Sequence, residues 1–256
     1  MTTLPNQAVP VLDLIRVTET GHDDGAAYET IYGHHEDELT KPITGMTVEE
    51  LQYWQPGFSS TWGSSASGAY QFMYATLGDL LEQGHCSSGD IFDPNCQDQL
   101  GFVLLQRRGY EDWAAFKTTT DDFMIGLAKE WASFPVPYDM QGAHRWVYRG
   151  QSYYAGDGVN KALISPDEVW LACEAAREVR PAPPLSNPPE ADPLPKPEQK
   201  PAAWLERAQE AIRERLIRRR DAVEAAEEER YANDLRRIKG EGGGFRDPLH
   251  HERHHE

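Results

Sequence analysis

The sequence predicts a mainly α-helical domain, a proline-rich linker and one long C-terminal helix. Three observations carry this. Apolar residues recur at helical spacing behind good capping residues over residues 1–180. Nine of the 21 residues from Pro181 to Pro201 are proline, which prevents helix and favours an extended spacer of up to about 65 Å at 3.1 Å per residue. Residues 202–239 then contain neither Gly nor Pro and are rich in Ala, Glu and Arg, the composition of a single charged helix about 55 Å long.

In chain order, Val9, Val11, Leu12, Leu14 and Ile15 define a first helix that runs out at Thr20-Gly21, which leaves Glu19 near its end. His22-Asp23-Asp24-Gly25 is polar, Tyr28 to Tyr32 alternates, and His34-His35-Glu36-Asp37-Glu38 reads as a solvated loop rather than a metal site. Thr47 and Glu50 form a capping box for a helix expected to stop before Pro56-Gly57. A Ser/Gly-rich turn from Ser64 precedes a helix expected over Ala69 to Leu81.

Asp93 caps a helix with Pro94 at its first position, closed by Gly109 after Arg107-Arg108, which suit the negative helix end. Thr120-Asp121-Asp122 opens a helix through Phe123, Ile125, Leu127 and Ala128 to Trp131, stopped by Pro135 and Pro137. Ser165 and Glu168 form a second capping box for a last helix ending near Val179. The domains are therefore 1–180, a linker 181–201, the helix 202–239, and a Gly/His-rich tail 240–256. The apolar stripe of the long helix, Leu205, Ala208, Ile212, Leu216, Val223, Ala226, Leu235 and Ile238, is thin and interrupted by Arg215 and Arg219. It fits an isolated charged helix as well as one docked on a partner.

The chain carries a formal charge of −17. Residues 1–180 hold 11 Lys and Arg against 26 Asp and Glu, so the acidity is concentrated there. Nucleic acid is not an expected partner, because neutralising phosphates takes a basic patch. Nor does the front domain gain electrostatic steering towards an anionic cell envelope. No apolar run is long enough to span a bilayer, and the basic start and apolar stretch of a secretory signal are missing. Three cysteines cannot all pair. Cys86 and Cys96 bracket a loop that fits a bridge or two thiols, and Cys173 lies among apolar neighbours. Four zinc ligands at a recognisable spacing are lacking.

Thr18-Glu19-Thr20-Gly21, Ser64 to Phe72, Phe92-Asp93-Pro94, Gln97 to Leu100, Arg107 to Tyr110, Glu130 to Pro135 and Gly150 to Gly156 occur in an order that resembles the phage muramidases, the lambda-type endolysins of the lysozyme superfamily. The resemblance spans roughly residues 8–178. It implies an α+β lysozyme-like fold, with residues 22–38 as a small hairpin or loop flanking a cleft. It also implies cleavage of the MurNAc–GlcNAc β-1,4 bond of peptidoglycan, with Glu19 as catalytic acid, without metal or cofactor. Ser65, Tyr70 and Gln71 would line the glycan groove, the alternatives being a core aromatic for Tyr70 and a turn hydrogen-bonder for Gln71; Trp131, Tyr138 and Tyr153 fit the groove and core packing equally.

Glycosidic cleavage needs a proton for the leaving oxygen and stabilisation of an oxocarbenium-like carbon. Glu19 must therefore lie where its charged form is disfavoured. Asp23, Asp24 and Glu29 are the local candidates for the second carboxylate a hydrolase uses. The lambda-type enzymes work instead as lytic transglycosylases with one acid, the muramic C6 hydroxyl attacking C1. Thr18-Glu19-Thr20-Gly21 replaces the family's Ser-Glu-Gly-Thr, and Ala69 stands where it has Arg, so both reactions stay open. The implied setting is synthesis in a host cytoplasm and action in the cell wall, as a free lysis enzyme or carried by the virion. In the second case residues 202–256 would attach to virion or tail proteins. The other class of reading is a catalytically inactive lysozyme-fold structural protein of a phage particle.

Overall fold

The computed structural model describes residues 3–179 apart from Asp157. The linker 181–201, the helix 202–239 and the tail 240–256 lie outside the described residues. Seven α-helices are present among the described residues: α1 (Ala8–Thr20), α2 (Val48–Trp62), α3 (Tyr74–Glu82), α4 (Pro94–Arg107), α5 (Tyr110–Ala114), α6 (Thr120–Glu130) and α7 (Pro166–Arg177). Two short strands, β1 (Met140–Gln141) and β2 (Trp146–Val147), pair antiparallel. The described chain is thus mainly helical, with one small hairpin. That hairpin falls at 140–147 and not at 22–38, which instead forms short 3-10 turns and an isolated bridge from Ile31 to Ser67.

Local chemistry sets most helix starts. Thr47 accepts from the Glu50 amide and Glu50 reaches back to Thr47, and Ser165 with Glu168 does the same. Asp93 accepts from the Cys96 amide with Pro94 behind it. At α6 the cap is Thr119, one residue before the expected start, paired with Asp122. Gly21, in the left-handed conformation, ends α1.

Two helices differ from expectation. α2 does not stop before Pro56 but continues to Trp62. Proline in a helix interior costs about 3 kcal/mol. Against that, Leu51 and Phe58 are buried on the far sides of the break, each contributing roughly 1.5–3 kcal/mol. Buried Gln55 adds donations to the Ser65 and Phe72 carbonyls at 2.9 and 2.8 Å. Packing therefore outweighs propensity.

α3 begins at Tyr74, five residues later than expected. Residues 67–72 form a closed turn instead, with Ser67 and Phe72 exchanging backbone bonds at 3.2 and 2.9 Å. Gly68 (φ 77°) and Gln71 (φ 50°) are both left-handed. A methyl group on Gly68 would lie 2.4 Å from Gln97 Oε1, so only glycine fits. Gln97, fully buried on α4, fastens the turn from beneath: it accepts from the Ala69 amide at 2.8 Å and donates to the Tyr28 and Phe92 carbonyls.

The core joins α1 to α4 and α7, with Ile15 and Val11 buried against it. Trp113 stacks on Phe123 with ring centroids 4.5 Å apart, and Tyr110 leans on both. Cys86, Cys96 and Cys173 are free thiols. Burial pushes Cys96 up to about 12 and raises Cys86 and Cys173 as well.

Candidate active site

Glu19 occupies the last turn of α1, two residues before the glycine that ends it. The chain leaves α6 through Trp131 and brings Ser133 to the same place, where its hydroxyl donates to Glu19 Oε1. Ser133 is buried, while Glu19 keeps part of its side chain exposed. Burial pushes the Glu19 carboxyl from the ordinary 4.5 up to about 7, and the Ser133 hydrogen bond opposes that rise without cancelling it. A carboxyl with that pKa holds its proton half the time near neutrality, as a general acid that must later act as base requires.

The segment carrying Ser133 is itself held on two sides. The Trp131 indole donates to the Tyr70 carbonyl at 3.1 Å, which joins it to the 67–72 turn. Pro135 bridges Ser152, and the Val136 amide donates to Gln151 O at 2.8 Å. The structure thus links Glu19, through residues 131–133, to the turn bearing Tyr70 and Gln71.

The sugar-binding expectations divide. Tyr70 (1% exposed) and Trp131 (3% exposed) are core side chains, so neither ring can touch a glycan in this conformation. This corrects their expected place in a groove: an aromatic ring suits a core as well as a sugar face, and here the core takes them. Ser65 is also buried, and its hydroxyl accepts from the Tyr74 amide at 3.0 Å, which holds the start of α3. Gln71 is half-buried and its amide nitrogen donates to the Thr30 and Gly68 carbonyls. It braces the turn. Tyr138 is exposed and Tyr153 half-buried beneath the Lys129 ammonium, 5.5 Å from its ring centre. Those two keep surface that a ligand can reach.

Of the candidate second carboxylates, Asp24 caps a 3-10 turn through the Ala26 amide, and Glu29 accepts from the Thr44 hydroxyl and amide. No group of three or more His, Cys, Asp or Glu able to hold a metal occurs among the described residues. One cavity lies beside α2 and another beside the start of α6.

Two residues of this candidate site are not marked by the sequence. Ser133 stands 114 residues from Glu19, and only its place in the Glu130 to Pro135 piece hinted at it. Asp98, on α4, accepts from the Tyr28 and Tyr70 hydroxyls at 3.0 and 2.6 Å, and Arg16 donates to Tyr28 at 2.6 Å. This network ties α1, the 67–72 turn and α4 together under the site. The chain matches no protein-family model, no curated protein and no solved structure.

Proposed function

We propose that this chain is a phage-type muramidase that cleaves the MurNAc–GlcNAc β-1,4 bond of peptidoglycan with Glu19 as general acid and base. The observation that carries the reading is the Glu19 carboxyl, withdrawn from water at a helix end and given one hydroxyl partner. Protonated Glu19 gives its proton to the GlcNAc oxygen as the bond to C1 of MurNAc breaks. The resulting carboxylate takes the proton of the muramic C6 hydroxyl while that oxygen closes on C1, leaving a 1,6-anhydro end and restoring the acid. Two of the three local candidates for a second carboxylate, Asp24 and Glu29, are engaged in local structure. Glu19 is the one catalytic residue in the scheme, and Ser133 positions it.

The test is to incubate the full chain and its Glu19→Gln variant with purified peptidoglycan and weigh the released muropeptides. Anhydro ends from the parent alone are expected. Reducing ends would replace transglycosylation by hydrolysis, and equal inactivity of both proteins would leave a lysozyme-like scaffold without chemistry.

An acidic enzyme with no electrostatic attraction to the envelope gains from being tethered beside its substrate. The same proposal therefore gives residues 202–256 the attachment of the enzyme to a virion or tail protein. Deleting 202–256 should abolish co-purification with particles; unchanged incorporation would remove the tether from the proposal.

A further inference from the structure

We propose that the cavity between α2 and residues 38–46 binds a neutral pyranose sugar, independently of Glu19. The reasoning starts from the middle of α2, where Pro56 and Gly57 stand side by side and exposed. They are the two least favourable residues for a helix, costing about 3 and 1 kcal/mol relative to Ala. Neither is buried, so packing of their own side chains does not require them. The packing of Leu51, Gln55 and Phe58 carries their cost, and local rules broken and compensated in this way occur at functional surfaces.

Because the helix continues through them, Trp54, Phe58 and Trp62 fall four residues apart and share one face. With Leu39, Met46 and Gly57 they line a cavity of about 260 Å³. Gly57 forms part of its wall, and a methyl group at its Cα would meet nothing within 4 Å, so a side chain has room there. Trp62 is fixed in advance: the His35 ring stacks on it at 4.7 Å, 9° from parallel, and Phe58 leans on it at 5.2 Å. His35 is in turn held by Glu38 at 2.7 Å. Trp54, about two turns earlier on the same face, stands 44% exposed.

The occupant follows from chemistry. Sugars present apolar C–H faces that stack on indoles and hydroxyls that need polar partners. Here Trp54 offers the exposed face, braced alongside the fixed Trp62, and Glu38, Thr40 and Thr61 the polar atoms. Among the described residues the only charged one in the lining is Glu38, with no Lys or Arg, which disfavours phosphates and carboxylates. The volume falls below the roughly 300–1,000 Å³ of sites for drug-sized ligands, so one sugar ring fits.

The experiment follows the indole N–H signals of Trp54 and Trp62 by NMR in the full chain, while tri-N-acetylchitotriose or maltotriose is added. Saturable movement of both signals with at least one sugar is expected. Glu19→Gln should bind unchanged, which keeps this outcome separate from the peptidoglycan assay. Gly57→Leu places a side chain in the cavity while improving helix propensity. Its thermal midpoint should not fall, and its affinity should drop roughly tenfold or more. Signals unmoved by both sugars, or movement that survives Gly57→Leu, would overturn the proposal. So would movement that tracks protein concentration instead of sugar, which would mark a self-association face.

Discussion

Glu19 and Asp98 are two carboxylates bonded to neighbouring parts of one framework, yet they are provisioned in opposite ways. Asp98 accepts from two tyrosine hydroxyls, Tyr28 and Tyr70. Burial and the Asp98 charge push Tyr28 up to about 12 and raise Tyr70 too, so both stay donors at any physiological pH. Glu19 receives one serine hydroxyl, against a desolvation that favours its neutral form. A carboxylate supplied with donors binds elements together. One left short of them keeps a proton to give.

The contrast can be broken most sharply at Glu19. Glu19→Gln keeps shape and loses the transferable proton, and general acid–base catalysis is worth about 10²–10⁴ in rate. Peptidoglycan cleavage should fall by that order, read from muropeptide release. Stability should move the other way. A carboxyl raised from 4.5 to about 7 on folding stabilises the parent fully below pH 4.5 and loses that contribution as pH rises through 7. At roughly 1.4 kcal/mol per unit, the parent should lose on the order of 3 kcal/mol across that window. The variant should not. Parallel denaturation curves for the two proteins from pH 4.5 to 8 would show that Glu19 is ordinary after all.

Asp98 should answer in stability instead of chemistry. Asp98→Ala leaves the buried Tyr70 hydroxyl without its acceptor and takes one partner from Tyr28, which still meets Arg16. An unsatisfied buried polar group costs about 1–3 kcal/mol, so a loss of about 2–4 kcal/mol is expected in urea unfolding. A change below about 0.5 kcal/mol, the range of ordinary surface substitutions, would deny Asp98 its structural part.

The same two residues show what was legible in the chain. The place of Glu19 was legible because a helix end is written locally, in an apolar run followed by Gly21, while its role came from the resemblance alone. The caps at Thr47, Asp93 and Ser165 were legible for the same reason, each acting within three residues. Ser133 and Asp98 were not, since their partners stand 114, 70 and 28 residues away. The continuation of α2 through Pro56 likewise depends on Gln55 reaching Ser65 and Phe72. The turn at 67–72 depends on Gln97, whereas Ala69 to Phe72 alone read as the start of a helix. Tyr70 and Trp131 misled for a different reason: nothing in an isolated aromatic residue says which side of a core it will face.

The smallest effect tests the balance at Glu19 itself. Ser133 supplies the one hydrogen bond that lowers the Glu19 pKa, while burial raises it. Ser133→Ala removes the first influence and leaves the second, so the carboxyl should hold its proton to higher pH. If protonated Glu19 is the active form, activity falls as pH rises through its pKa, and the alkaline limb of the pH–rate profile should move upward. The rate on the acidic side should change little, because the acid is already protonated there. A limb that moves downward would mean that the hydroxyl favours the neutral carboxyl, and that burial is not what tunes the acid.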